Sequence, residues 1–173
     1  MKIVEGRKVI WETDNFIVVV PPDPHISREE GGHLIIIGKG DKCRYNSRLD
    51  FTPQEVLEVQ RLCQMICKAY KKAMKKRNVD IVRINYFEAG NWAYKDEYME
   101  NGEIKPFYHE HIYGRTLNAK KQVFPEAPYL PNRNTGFYDD FKPLNDEDVS
   151  YIIEEMKTLE LDEKYSKEKW RIN

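Results

Sequence analysis

The sequence predicts an α+β fold: an antiparallel sheet of about five strands with a hairpin arm, a long helix packed on one face and a further helix near the C-terminus. Three observations predict it. Short β-rich runs bounded by turn residues recur through the first 113 positions. One capped stretch with apolar residues at helical spacing interrupts them. A second capped helical pattern opens at Asn145, after a segment rich in proline.

The elements follow in order. Val9-Ile10-Trp11-Glu12 and Phe16-Ile17-Val18-Val19-Val20 flank Asp14-Asn15, so they form a hairpin. Pro21-Pro22 ends the second run, because proline has no N–H for the next ladder bond. His33 to Lys39, entered through Gly31-Gly32, is an apolar strand covered on both faces. Thr52-Pro53-Gln54-Glu55 starts a helix: threonine caps, proline suits the first helical position and Glu55 completes a capping box. Val56, Val59, Leu62, Cys63, Ile66, Ala69, Tyr70 and Ala73 form its apolar face. Cys63 and Cys67 lie one turn apart and read as core. Ile81 to Phe87 is another strand. Asn101-Gly102 is a tight-turn signal between Trp92-Ala93-Tyr94 and Ile104-Lys105-Pro106, which predicts a protruding hairpin. Phe107 to Tyr113 is the next strand. The stretch holding Pro125, Pro128, Pro131 and Pro143 also carries Phe124, Tyr129, Leu130, Phe137, Tyr138 and Phe141, so it should wrap the body or a partner subunit. Asn145 caps a last helix with Val149, Ile152, Ile153 and Met156 on its face, and the charged tail beyond should fray.

The 173 residues suffice for one domain with a real core. Twenty-eight basic against 29 acidic residues leave a net charge of -1, which argues against generic charge-driven binding to nucleic acid or membranes. Three cysteines without a CxxC pair suit a reducing compartment. No run approaches the roughly 20 apolar residues that cross a bilayer, and the first residues lack the features of a signal peptide. The expectation is a soluble, cytoplasmic protein.

Chemistry concentrates at Tyr108-His109-Glu110-His111-Ile112-Tyr113-Gly114-Arg115. Residues two apart on a strand share a face, so His109 and His111 point together while Tyr108 and Glu110 point away. Such a pair suits three uses: nucleophile and phosphate ligand, joint metal ligands with His33, or plain polar surface. His25, beside Pro24, reads as loop surface.

The wider order resembles the histidine-triad (HIT) family. It runs Gly32-His33-Leu34, an apolar strand to Gly38-Lys39, a capped helix, Asn85 on a strand, Gly90-Asn91, then His109-Glu110-His111 ending in Gly114-Arg115. The sequence beyond Arg115 looks like a diadenosine polyphosphate hydrolase-like subgroup. On this resemblance residues 1–117 are a HIT-like domain and 118–173 a C-terminal extension packed on it. The resemblance implies that His109 is the nucleophile, forming a nucleotidyl-histidine at the α-phosphate of a purine nucleotide conjugate, and that His111 contacts the phosphate or leaving group. It implies nucleotide contacts from His33, Asn85, Asn91, Ile17 and Leu34, a homodimer, and no cofactor or resident metal. Three positions depart from the family pattern. Phe107 stands at the first histidine position, Glu110 at an apolar one, and Gly114 where proline is usual. These departures also admit a non-catalytic nucleotide-binding module.

Overall fold

Thr13 to Asn15 reverse the chain between β2 (Arg7–Glu12) and β3 (Phe16–Val20), as the turn residues require. This turn is held from a distance: the Glu58 carboxylate accepts from the Asn15 backbone N–H at 2.9 Å and from its side-chain amide at 2.6 Å. The computed structural model describes residues 2–4, 6–40, 45–89, 99–100, 103–104 and 108–172. Its strands are β1 (Ile3–Val4), β2, β3, β4 (His33–Gly38), β5 (Arg83–Phe87), the two-residue β6 (Met99–Glu100) and β7 (Glu103–Ile104), and β8 (His109–Arg115). The main sheet has six antiparallel strands in the order β1-β2-β3-β4-β8-β5. The short β1 is the strand beyond the five expected. β6 and β7 pair around Asn101-Gly102, consistent with the hairpin, while the rest of the arm lies outside the described residues.

Helix α1 (Pro53–Lys76) begins where its sequence says it must, with Thr52 and Glu55 forming a reciprocal capping box. Its apolar face packs on one side of the sheet, against Phe16, Val18, Leu34, Ile36 and Ile112. Helix α2 (Asp146–Glu160) packs on α1 and adds Val149, Ile152, Met156 and Leu159 to the same core. Its cap is also a capping box, between Asn145 and Asp148.

Alternation along the strands leaves a second apolar cluster, Val9, Ile17, Val19, Ile35 and Ile37, on the opposite side of the sheet. The tail corrects the expectation of fraying. Tyr165 is buried in the core, its carbonyl accepts from the Arg61 guanidinium, and α3 (Lys167–Trp170) follows it. Tyr165 anchors the segment because a ring buried against α1 offsets the entropy of ordering charged neighbours. Among the described residues no helix is long and apolar enough to cross a membrane.

Candidate functional site

Register decides which side chains meet. On β8 and β4 the opposed pairs are His33–Tyr113, Ile35–His111 and Ile37–His109, and opposed residues share a face. His33, His109, His111 and Tyr113 therefore stand on the side of the sheet away from α1. Ile17 opposes Ile37, so it continues the row that starts at His109. Leu34 falls one residue out of phase and is buried under α1, which removes it from this face. Glu110 and Tyr108 also take the α1 side. There Glu110 is buried, paired with Arg48 at 2.7 Å and hydrogen-bonded by the Tyr108 hydroxyl at 2.9 Å. The departure at Glu110 thus serves the core rather than the histidine face.

All four histidines of the chain gather at one place. The His109 and His111 rings are 4.8 Å apart between centroids and perpendicular, with His109 half-buried and His111 nearly covered. His33 Nε2 lies 2.9 Å from His111 Nδ1. His25, expected on the loop surface, instead stacks on His33 at 5.1 Å and shares a 2.6 Å hydrogen bond with the Tyr113 hydroxyl. Sequence reasoning missed it because the contacts that fix its loop come from residues about a hundred positions later. Its scarcity, one of four histidines and eight residues before His33, was the available signal.

Proton positions follow from one unambiguous donor. The His25 backbone N–H donates to His33 Nδ1 at 3.2 Å, so that nitrogen carries no proton. Burial, reinforced by the neighbouring imidazoles, pushes the His33 pKa well down, so the ring is neutral and its proton sits on Nε2. His33 Nε2–H then donates to His111 Nδ1. His111 is neutral as well: burial, then the charges of His109 and its neighbours, bring it to about 2. Its own proton must therefore lie on Nε2. The chain of contacts delivers His111 as a hydrogen-bond donor through Nε2.

Ring nitrogens of His25, His33 and His111 lie within 4.8 Å of one another, a grouping that replaces the expected His109 with His25. Ligation through His33 Nε2 would need that nitrogen bare while Nδ1 still accepts from His25. That leaves an imidazolate or breaks the His25 contact. A metal held here would therefore displace the His25 backbone contact.

Asn85 opposes Tyr113 on β5 and shares the histidine face, where its Oδ1 accepts from Arg115 at 3.4 Å. Arg115 is buried, and its Nη2 donates to the carbonyls of Gln122, Val123 and Glu126. A cleft of about 460 Å³ opens here between Arg83, Asn85, Arg115 and the Phe124–Pro128 turn. A larger one, about 520 Å³, lies on the α1 side near Cys67 and Tyr165, and neither cleft is lined by a histidine. Asn91 and Phe107 lie outside the described residues.

No family model and no curated protein matches the chain. Solved structures do. A hypothetical histidine triad nucleotide-binding protein, ST2152 from Sulfolobus tokodaii strain7, superposes with a TM-score of 0.54 at 15% identity, over 89% of this chain and 86% of that one. A Hit-like protein involved in cell-cycle regulation from Bartonella henselae, solved with an unknown ligand, gives 0.51 at 19% identity, over 86% of each chain. The uncharacterized protein LPG0439 gives 0.53 at 13%, over 96% of this chain and 83% of that one. At these identities the likeness establishes the fold, and the fold is HIT-like.

Proposed function

We propose that the protein is a nucleotide hydrolase or nucleotidyl transferase that acts at the α-phosphate of a purine nucleotide conjugate, such as a diadenosine polyphosphate. The observation that carries this reading is the perpendicular His109–His111 pair with the proton of His111 forced onto Nε2. Two imidazoles with different tasks are what two-step phosphoryl chemistry needs. A His109 ring nitrogen attacks the α-phosphorus, and the bond from phosphorus to the leaving oxygen breaks. His111 Nε2–H hydrogen-bonds to that oxygen, where negative charge grows as the bond opens, and the rest of the phosphate chain leaves as an anion. Water, or another acceptor, then attacks the nucleotidyl-histidine, the P–N bond breaks, and nucleotide leaves with His109 restored. One proton of the incoming water leaves to solvent, and His111 keeps its Nε2–H throughout.

His33 supports this division of labour by keeping His111 Nδ1 occupied as an acceptor, and no metal enters the scheme. Asn85 remains a candidate nucleotide contact on the same face, and Ile17 the candidate for the base. A homodimer and a cytoplasmic location belong to the same proposal, carried by the family resemblance.

The test is incubation with labelled diadenosine polyphosphate and with an adenylate phosphoramidate. Turnover is expected, with loss of at least about 10²-fold in His111→Ala, the scale of a lost donor to transition-state charge. In His109→Ala turnover should vanish while the circular dichroism spectrum is retained. Turnover that survives in His109→Ala would overturn the assignment of the nucleophile. Tight nucleotide binding without turnover on either substrate would favour a binding module instead.

A further inference from the structure

The C-terminal extension reaches the histidine face through a small number of buried contacts. Gln122 is 1% exposed, although it carries a polar amide. Its oxygen accepts from the Tyr129 N–H at 3.0 Å, which fixes the orientation of the amide. Its nitrogen donates to the Tyr129 carbonyl at 2.9 Å and to the His25 carbonyl at 3.0 Å. The segment carrying Gln122 is in turn pinned by Glu30, whose carboxylate accepts from the backbone N–H groups of Lys120, Lys121 and Gln122. A second contact comes from Arg133. Its guanidinium lies over the Tyr138 ring at 5.0 Å and donates to the Asp23 carbonyl at 2.8 Å.

The two gripped carbonyls, of Asp23 and His25, straddle Pro24. Between them lies the peptide unit that carries the His25 N–H, the donor aimed at His33 Nδ1. Tilting that unit removes the one backbone contact that, among the described residues, distinguishes the two nitrogens of His33. An imidazole without such a contact is free to place its proton on either nitrogen, and a proton on Nδ1 leaves Nε2 bare. His111 Nδ1 would then lose its donor and take the proton itself, surrendering the Nε2–H.

We propose that Gln122 and Arg133 are positioning residues of the histidine site: by fixing the Asp23 and His25 carbonyls, they set the His33 and His111 tautomers and so make His111 a donor through Nε2. The inference rests on the proposed function for its meaning, but not for its test, since tautomers are read without turnover.

The experiment is long-range ¹H–¹⁵N correlation spectroscopy on protein with ¹⁵N-labelled histidine. In the wild type, His33 and His111 should each give a single Nε2–H tautomer. Gln122→Met, close in volume but without hydrogen bonds, should convert both into Nδ1–H and Nε2–H mixtures. Arg133→Ala, at an exposed side chain with little part in the core, should do so to a smaller extent, and Arg133→Lys should restore the wild-type pattern. A wild-type His33 protonated at Nδ1 would overturn the proposal. So would an unchanged Nε2–H tautomer in folded Gln122→Met or, should that variant not fold, in Arg133→Ala. Failure to hydrolyse nucleotides leaves all these spectra interpretable, so the two readings fail separately.

Discussion

His33 and His111 lose their hydration when they enter the cluster, and the hydrogen bonds they gain there favour neutral rings. Burial likewise brings His25 down to about 4. These are folded-state values below the ordinary histidine value, so the sign is fixed. Above pH 6.5 the rings are uncharged in both states and contribute no pH dependence. As pH falls below 6.5 the unfolded chain takes up protons that the folded one refuses, and stability declines. The decline continues to about pH 4 for His25 and to about 2 for His111. At pH 5 it amounts to about 2 kcal/mol for a fully buried imidazole relative to pH 7. Urea midpoints measured between pH 7 and pH 5 should fall accordingly, and less steeply in His111→Asn. Midpoints that stay flat would mean the rings are solvated. The outward pair, His109 and His111, was legible because period-two alternation on a strand is a local property. His25 was not, because its position depends on Gln122 and Arg133. Leu34 was misplaced by one step of the same alternation, enough to turn a base contact into core.

Single elements were legible where local rules dominate. The capping box at Thr52, the cap at Asn145 and the Asp14-Asn15 turn all appear as read, since each is settled within four or five residues. Gly114 shows the reverse case. Its place at the end of β8 is set by a loop some eighty residues earlier. A Cβ on Gly114 would lie 2.6 Å from the Gly31 carbonyl oxygen and 2.7 Å from Ile81 Cδ1, while one on Gly31 would lie 2.2 Å from the Gly114 oxygen. The Gly114 N–H also donates to Gly32 at 3.1 Å. Proline, usual in the resembling family, would lose that bond and bring its ring against the same backbone. Gly114→Ala should cost about 1–3 kcal/mol, the scale of an overpacked core. Gly31→Ala should cost more, because Gly31 also holds a φ of 125°. Thermal unfolding of the two variants checks the order; equal losses, or none, would mean the loop yields.

At the scale of the molecule, the question is whether residues 118–173 decorate a finished domain or complete it. The buried charges argue for completion. Asp148 at the start of α2 is fully buried, and both its oxygens are engaged: Arg28 donates at 2.7 and 2.8 Å, Arg77 at 3.2 Å. Burial, the largest single influence, would raise its pKa, but Arg28, the Asn145 N–H and Arg77 together outweigh it and hold the carboxyl below its ordinary value. Its stabilisation is therefore present above the unfolded-state value of about 4 and is lost as pH falls through the lower folded one. Arg28 lies on the loop that runs into β4 and Arg77 at the end of α1, so one carboxylate ties α2 to the loop before the sheet and to the long helix. Asp148→Ala leaves the part-buried Arg28 guanidinium without its carboxylate and Arg77 with Glu147 alone, and should cost about 3 kcal/mol, the lower end for a broken buried pair. The apolar side of the interface is larger. Val149, Ile152, Met156, Leu159 and Tyr165 share a core with α1, and fully burying each such side chain is worth about 1.5–3 kcal/mol. Together they amount to about 7.5–15 kcal/mol, as much as the 5–15 kcal/mol by which a domain of this size is stable. A chain ending at residue 117 should therefore lack fixed tertiary structure, showing weak near-ultraviolet circular dichroism and poor amide dispersion. A truncated chain that unfolds cooperatively would instead make the extension a separable layer, and its grip on the His25 loop an addition to a domain already complete.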